Sequence, residues 1–295
     1  MGDRTFGTLI TAEQLLERVI EPAALLDWVI IDCRFSLANP EQGYSEYKQG
    51  HIPGAFYAHL DNDLSGTLTE TSGRHPLPFE STWLAQLATW GINPQSQVVV
   101  YDHGSGAIAA RLWWMLRWSG HSQVALLDGG FKAWQENKLP VSIDKPSITD
   151  LVHQAEFTFD HGLWVSTTQL EVALPEITLI DARSADRFNG ISEPIDPVAG
   201  HIPGAISMPL EDNIDQGEEF LPADRLRERF AKLALVEAGE TKRSEIVHMC
   251  GSGVTACHNI LAMEVAGLSG SRLYVGSWSE WIRDPHRAVA RAAAD

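Results

Sequence analysis

One cysteine stands directly before a glycine-rich turn, in a stretch at residues 247–259 that reads VHMCGSGVTACHN. Cys250 follows a short apolar run and precedes residues that favour a helix. The glycines let the backbone fold with its N–H groups pointing inward, and the helix that follows adds the positive end of its dipole. Such surroundings favour a thiolate, which is the nucleophilic form of cysteine. We therefore interpret Cys250 as a reactive nucleophile held in a loop that can bind an anion.

The elements that position this loop occur twice along the chain. Four motifs recur in the same order, and they pair residues 30–34 with 179–183, 50–55 with 200–205, 98–102 with 246–250, and 126–134 with 273–281. The second pair is identical, GHIPGA in both places. Four matches in one order indicate duplication of a whole domain. Asp102 stands in the first copy where Cys250 stands in the second, so we expect only the second copy to be catalytic.

Each copy has the pattern of an α/β domain. Helix-length segments separate short apolar runs, which suit strands buried on both faces of a sheet. The runs lie at 28–31, 98–101, 124–127, 178–180 and 246–249, and the helical segments at 12–20, 82–90, 107–119, 166–173, 223–235 and 255–266. This alternation predicts a mainly parallel sheet flanked by helices in each domain. We place the domains at 7–140 and 166–285, joined by a linker at 141–165 in which residues 155–159 strap one domain.

The composition narrows the classes of partner and the compartment. Acidic residues number 39 against 22 basic ones, which gives a net charge of −17 and argues against nucleic acid or an anionic membrane as partner. There is no apolar run of the roughly 18 to 20 residues that a membrane span needs, and the start lacks a signal-peptide pattern. The chain has 3 cysteines and none in C-x-x-C spacing, which predicts a reducing, cytoplasmic setting without disulfides or a metal site.

Taken together, these motifs resemble the two-domain rhodanese family of sulfurtransferases. The resemblance rests on the tandem GHIPGA boxes, on D-x-R at a strand end, and on CGSGVTAC followed by GSWSEW, and it spans nearly the whole chain, 7–285. It implies tandem rhodanese-like domains. The loop Cys-Gly-Ser-Gly-Val-Thr is similar to that of 3-mercaptopyruvate sulfurtransferases, whereas thiosulfate-type enzymes more often carry Arg and Lys after the cysteine. The resemblance therefore implies 3-mercaptopyruvate as donor, with thiosulfate:cyanide sulfurtransfer as the alternative.

The family mechanism assigns roles to the loop. The thiolate of Cys250 attacks the donor sulfur, pyruvate leaves as its enolate, and a persulfide remains. The resemblance implies that this persulfide is held by the N–H groups of Gly251, Ser252, Gly253, Val254 and Thr255. A thiol such as thioredoxin, a small thiol or cyanide then takes the outer sulfur. No cofactor or metal is implied, and we expect a monomer or a weak dimer.

Two arginines are candidates for binding the donor. Arg187 matches the family arginine that clamps the donor anion, and a guanidinium suits a carboxylate through two parallel hydrogen bonds. Arg74 is a further candidate anion contact. Mercaptopyruvate enzymes commonly carry a second arginine shortly after the first, but Asp196 stands there. This departure predicts weaker carboxylate binding and makes thiosulfate harder to exclude as donor.

A proton relay is also implied by the resemblance. Its serine is Ser252 in the loop, and its His and Asp map onto His75 in GRHPLP and Asp61 in HLDND. A histidine held by an aspartate and touching a serine is suited to moving a thiol proton.

The residues around Cys250 also bear on three competing functions. A cysteine phosphatase needs Cys, five residues and then Arg, but the sixth residue after Cys250 is Ala256. A Cys-His hydrolase is disfavoured because His248 precedes the cysteine within a strand. A non-catalytic rhodanese-like binding module remains an alternative, although such modules usually lose the cysteine, as the first copy has done at Asp102.

Other conspicuous residues are interpreted as structural. The GHIPGA boxes shape turns, the D-x-R pairs brace loops, and the tryptophans pack in the core or behind the pocket. This group comprises His51 and His201, Asp32 and Arg34, Asp181 and Arg183, Trp113, Trp114, Trp118, Trp278 and Trp281, with Cys33 and Cys257 as buried thiols.

Overall fold

The computed structural model describes residues 5–20, 27–146, 156–231, 233 and 245–292. The strands in these ranges are β1 Leu9–Ile10, β2 Trp28–Asp32, β3 Phe56–Tyr57, β4 Gln97–Tyr101, β5 Val124–Leu127, β6 Trp164–Val165, β7 Thr178–Asp181, β8 Ile206–Ser207, β9 Ile246–Met249 and β10 Arg272–Tyr274. The α-helices are α1 Ala12–Val19, α2 Gln42–Gln49, α3 Glu80–Thr89, α4 Ala109–Trp118, α5 Gly130–Glu136, α6 Thr167–Ala173, α7 Ala185–Asn189, α8 Ala223–Ala231, α9 Ala256–Val265 and α10 Ser277–Trp281. Short 3-10 helices span His161–Leu163, Leu174–Glu176 and Leu210–Asn213.

The strands within the described ranges form two parallel sheets of the same topology. The order is β1-β5-β4-β2-β3 in one sheet and β6-β10-β9-β7-β8 in the other. Every pairing between these strands is parallel, and the register of β2 on β4 recurs as that of β7 on β9. The prediction of two α/β domains, each with a parallel sheet flanked by helices, is confirmed.

The sequence explains why these elements form. All residues of β4 and β9 are buried, as expected for central parallel strands covered on both faces. Helices α1 and α6 each begin with a capping box, Thr11 with Gln14 and Ser166 with Gln169. The boxes satisfy N–H groups at equivalent helix starts, so the duplication extends to the local signals that start each domain.

Each unit braces its central strand in the same way. Arg34 pairs with Asp32 and Arg183 with Asp181, both at 2.6 Å. Each arginine also donates at 2.7 Å to the carbonyl of the glycine that opens a GHIPGA box. The expectation that the D-x-R pairs brace loops is thus confirmed, because each arginine joins the end of a strand to the turn that follows.

The histidines of the two GHIPGA boxes also have equivalent surroundings. His51 stacks on Tyr47 at 4.0 Å and His201 on Phe188 at 3.8 Å. In each case Nδ1 lies 2.8 Å from the carbonyl oxygen of the same aromatic residue. Both histidines are therefore structural, as predicted.

The chain divides into two compact units whose boundaries do not follow the chain halves. The first comprises Met1–Gly66, Pro78–Asp160 and Gln216–Phe220, and the second comprises Thr67–Leu77, His161–Asp215 and Leu221–Asp295. A short segment from each half therefore belongs to the unit of the other half. The predicted division at 7–140 and 166–285 does not include this exchange of segments.

The predicted strap, linker and core tryptophans lie partly within the described residues. Phe159 packs against Trp118 at 4.7 Å, so the end of the 155–159 stretch straps the first unit, while Ala155 lies outside the described residues. Residues 232, 234 and 235 of the predicted helix 223–235 and residues 147–155 of the linker also fall outside them. Trp113 and Trp114 are buried, as expected for core residues. Over the described ranges, no helix is both long and apolar enough to span a bilayer.

Candidate active site

Cys250 lies at the carboxyl end of β9, in the loop that leads into α9, and is 1% exposed. Its backbone N–H donates to Ser277 Oγ at 3.1 Å, and its carbonyl accepts from Trp278 N at 3.0 Å. The carbonyl of Gly251 accepts from Ser279 N at 2.9 Å. The first turn of α10 thus fixes the backbone of Cys250 and Gly251.

The loop after Cys250 offers backbone donors. Gly253 has φ 75°, a left-handed conformation, and a β-carbon there would lie 2.4 Å from the carbonyl oxygen of Val275. Only glycine fits this turn. Four N–H groups of the loop have no acceptor within the part of the chain that the structure describes, and they belong to Gly251, Ser252, Val254 and Thr255. Donors of this kind can hold an anion beside Cys250.

Asp102 occupies the same backbone position in the first unit. Its carbonyl accepts from Phe131 N at 2.9 Å, just as that of Cys250 accepts from Trp278 N. The strand register agrees, since Tyr101 pairs with Asp32 where Met249 pairs with Asp181.

The side chain of Asp102 fills the corresponding loop. Its two carboxylate oxygens accept from the N–H groups of Gly104, Gly106, Ile108 and Ala109 at 2.9–3.1 Å. The first unit therefore carries its own anion at the position where the second leaves loop N–H groups without an acceptor among the described residues. The two loops share a shape, but in the first the backbone donors are already used.

His75 and Ser252 come together within the second unit. Nδ1 of His75 lies 2.7 Å from Ser252 Oγ, and His75 is 4% exposed. The segment that carries it is anchored by Arg74 N, which donates to Ser279 Oγ at 3.0 Å. Asp61 belongs to the first unit, where it is exposed and its N–H donates to His59 Nδ1 at 3.1 Å. Its predicted role beside His75 stays a prediction.

Two guanidinium groups converge on Gly251, the residue after Cys250. A β-carbon built on Gly251 would lie 3.0 Å from Arg74 Nη2 and 3.4 and 3.5 Å from the Nη atoms of Arg187. Asp196 bridges the pair, with Oδ1 on Arg74 Nη1 and Oδ2 3.0 Å from Arg187 Nη2. Arg74 thus brings a second guanidinium to Gly251, although position 196 holds an aspartate.

Glu193 completes this charged group. It accepts from Arg187 Nε at 3.0 Å and lies 3.4 Å from Arg183 Nη1. Burial raises the pKa of this carboxyl, but hydrogen bonds and charge from Arg187, with backbone N–H groups of Ile195 and Asp196, outweigh burial and leave the pKa below its ordinary value. Glu193 is therefore held as a carboxylate that orients Arg187.

Sequence reasoning missed Ser277. It has φ 52°, a left-handed conformation that is unfavourable for a residue with a β-carbon, and it is fully buried. Its hydroxyl donates to Tyr274 O at 2.9 Å and accepts from Cys250 N. The equivalent residue of the first copy is Gly130, with φ 56°. The repeat alignment carried this signal, because it pairs a glycine with a serine at a position that needs φ above zero.

The remaining cysteines and the nearby histidine do not resemble reactive groups. Cys33 is buried, and desolvation raises the pKa of its thiol well above the usual range. Cys257 is buried too, with Sγ 3.5 Å from Gly253 O. Burial lowers the pKa of His248 to about 3, and its Nε2 contacts Met263 Sδ at 3.2 Å. Among the described residues there is no group of three or more His, Cys, Asp or Glu side chains placed to hold a metal ion.

Comparison with known proteins identifies the family of the chain. Residues 11–137 and 166–284 match the model of the rhodanese-like domain. A Pseudomonas aeruginosa protein named "Probable 3-mercaptopyruvate sulfurtransferase" is 44% identical over 284 residues, covering 96% of this chain and 97% of that protein. An Arabidopsis thaliana protein named thiosulfate/3-mercaptopyruvate sulfurtransferase 2 is 30% identical, covering 93% and 88%.

A solved structure extends the comparison to the fold. The 3-mercaptopyruvate sulfurtransferase from Leishmania major superposes with a TM-score of 0.80 at 29% identity, covering 93% of this chain and 74% of that one. The predicted resemblance is thus confirmed at the level of family and enzyme class. With two matched domains and relatives of this identity and coverage, the chain belongs to the rhodanese-like family as a two-domain sulfurtransferase.

Proposed function

We propose that this protein moves sulfur from 3-mercaptopyruvate to a thiol or to cyanide through a persulfide on Cys250. The observation that carries the proposal is the contrast between the two loops. The first unit satisfies its loop N–H groups with the carboxylate of Asp102, whereas the loop around Cys250 keeps such groups unpaired within the described residues. A persulfide anion on Cys250 is a chemically suitable acceptor for them.

The proposed chemistry has two steps. The Cys250 thiolate attacks the donor sulfur, and the carbon–sulfur bond breaks with its electron pair passing to carbon, so pyruvate leaves as its enolate and is then protonated. The outer sulfur stays on Cys250 as the persulfide. An acceptor thiolate, from thioredoxin or a small thiol, or cyanide then attacks this outer sulfur and releases the Cys250 thiolate. Neither step calls for a metal or an organic cofactor.

We propose that Ser252 and His75 manage the proton in these steps. Their 2.7 Å contact allows the imidazole to exchange a proton with the hydroxyl beside Cys250. Asp61 is the third member that the family resemblance implies, and its part in the relay belongs to the same proposal.

Arg187 and Arg74 are the proposed donor clamp. The segment from Gly251 to Thr255 holds neither Lys nor Arg, so charge for the donor has to come from outside the loop. Both guanidinium groups lie against Gly251, within reach of the carboxylate of a small thiol bound at Cys250. Guanidinium groups placed in this way can bind a single carboxylate through paired hydrogen bonds. Thiosulfate is the second candidate donor, because the relative from Arabidopsis thaliana is named for both donors.

The proposal can be tested by intact-protein mass spectrometry after exposure to one donor at a time. We expect 3-mercaptopyruvate to add the mass of one sulfur atom to the wild type, and cyanide or a dithiol to remove it. Cys250→Ser should gain no sulfur and lose turnover, whereas Cys257→Ser should behave as the wild type. Sulfur uptake by Cys250→Ser would refute the assignment of the nucleophile.

Steady-state kinetics with both donors complete the test. A preference for 3-mercaptopyruvate of about tenfold or more in kcat/KM corresponds to about 1.4 kcal/mol of transition-state discrimination. A preference for thiosulfate would favour the second donor. His75→Gln should lower kcat and alter its pH profile while leaving the protein folded, since the glutamine keeps a hydrogen-bonding side chain near Ser252.

A further inference from the structure

The carboxylate of Asp196 occupies an unusual position in the proposed donor clamp. Its side chain is 3% exposed, while those of Arg74 and Arg187 are 27% and 16% exposed. The acid therefore lies behind the two arginines, and the guanidinium groups keep an accessible face. Asp196 does not block the clamp, but it touches both of its arms.

The donors that Asp196 leaves unused lie beside Gly251, the residue that follows Cys250. Arg74 uses Nη1 for Asp196, and its Nη2 lies 3.0 Å from the β-carbon position of Gly251. Arg187 uses Nε and Nη2 for Glu193 and Asp196, which leaves Nη1 near the same point, at 3.5 Å. Within the described part of the chain neither Arg74 Nη2 nor Arg187 Nη1 has a hydrogen-bond acceptor. One N–H group from each arginine is thus available to the two oxygens of a single carboxylate.

Charge around the clamp is balanced. The arginines are Arg74, Arg183 and Arg187, and the carboxylates that pair with them are Asp181, Glu193 and Asp196. All three carboxylate side chains are at most 3% exposed, so water screens them weakly. The formal charges cancel before any donor binds. A dianion gains little from such a site, whereas a monoanion can still be bound through oriented hydrogen bonds.

We propose, resting on the function proposed above, that Asp196 is the positioning residue that sets donor specificity. It ties Arg74 and Arg187 into one fork for a single carboxylate and offsets one of their two positive charges. The site therefore selects a small thiol with one carboxylate over thiosulfate, although its loop carries no cation of its own. This role goes beyond that of the arginines, because it assigns discrimination between donors to an acidic residue that does not touch the donor.

The test compares Asp196→Asn with the wild type for both donors. The amide keeps the shape and one acceptor oxygen but removes the negative charge. We expect the ratio of kcat/KM for thiosulfate to that for 3-mercaptopyruvate to rise by about tenfold or more, mainly through a lower KM for thiosulfate. Asp196→Glu, which restores the charge, should return the ratio toward the wild-type value, a rescue that loss of packing alone would not give.

Asp186→Asn provides the matched control. Asp186 is an exposed neighbour of Arg187 on α7, so the substitution removes the same charge without touching the clamp. The donor ratio should stay within about twofold of the wild type. If Asp196→Asn also leaves the ratio unchanged while the wild type turns over donor, the inference is wrong and the proposed function stands. If the wild type forms no persulfide with either donor, the proposed function itself fails.

A measurement on the wild type covers the case in which Asp196→Asn does not fold. Pyruvate, a monoanion, should inhibit competitively against 3-mercaptopyruvate, and sulfate, a dianion, should inhibit at least about tenfold more weakly. Equal inhibition by the two anions would overturn the role given to Asp196.

Discussion

Ser277 allows the sharpest test of how the backbone of Cys250 is held. It combines an unfavourable left-handed backbone, φ 52°, with a hydroxyl that accepts from Cys250 N and donates to Tyr274 O. Replacing it with alanine keeps the strained backbone and removes both bonds. The buried N–H of Cys250 is then left without its acceptor, which costs about 1–3 kcal/mol. Replacing it with glycine removes the same bonds but relieves the left-handed conformation, which costs an L-residue roughly 1–2 kcal/mol.

The two substitutions should therefore differ in a definite order. We expect Ser277→Ala to destabilise the protein by about 2 kcal/mol. Ser277→Gly should be less destabilising than alanine by about 0.5–1 kcal/mol, after allowing for the flexibility of glycine in the unfolded chain. On the scale of about 2–4 °C per kcal/mol for chains of this size, the alanine variant melts roughly 4–8 °C below the wild type.

Thermal unfolding and sulfur-transfer kinetics together measure this effect. Both variants should lose kcat, because the backbone of Cys250 loses its support in each, while Tm separates them. Ser45→Ala, at an exposed position of α2, is the control for a serine-to-alanine change without these contacts. An alanine variant as stable as the wild type, or a glycine variant less stable than alanine, would refute the reasoning.

Two further predictions concern carboxylates. Asp102→Ala should lower the free energy of unfolding, measured in urea, by more than about 3 kcal/mol, because four N–H groups lose their acceptor. Asp102→Asn should lower it by less. If Asp102→Ala were as stable as the wild type, the interpretation that Asp102 fills the first loop would be wrong. The folded-state pKa of Glu193 lies below its ordinary value near 4.5, so its stabilising contribution is present above that value and is lost as the pH falls through the folded-state pKa. Glu193→Gln should therefore show a shallower loss of stability below about pH 4.5 than the wild type, and parallel curves would count against the ion pair with Arg187.

Local sequence patterns predicted most of the central strands of the fold. Apolar runs located the central strands to within a residue or so, because strands buried on both faces must be apolar throughout. Thr11 and Gln14 form a capping box at the start of α1, a local signal that the prediction of a helix at 12–20 did not use. The repeated motifs indicated the duplication and identified Asp102 as the equivalent of Cys250. The strand register of the two sheets agrees with this equivalence.

The sequence could not reveal what depends on distant segments. Nothing local to Arg74 indicates that it meets Asp196 and Arg187, because residues far apart in the chain have to come together first. The sequence likewise did not predict that the carboxylate of Asp102 fills the first loop. An aspartate at the position of a cysteine indicates the absence of a nucleophile, but it does not show that its side chain accepts hydrogen bonds from the loop. Ser277 was not predicted because a serine, unlike a glycine, does not indicate a left-handed backbone conformation.

The exchanged segments have a consequence for the history of the molecule. Thr67–Leu77, encoded in the first half, brings Arg74 and His75 to the unit that contains Cys250, while Gln216–Phe220, encoded in the second half, belongs to the other unit. A duplication gives rise to two self-sufficient copies, but here neither half of the gene specifies a whole unit. The first half, which carries Asp102 at the position of Cys250, cannot be removed without also removing Arg74 and His75 from beside Gly251 and Ser252. The exchanged segments thus make each unit depend on residues from both halves of the chain.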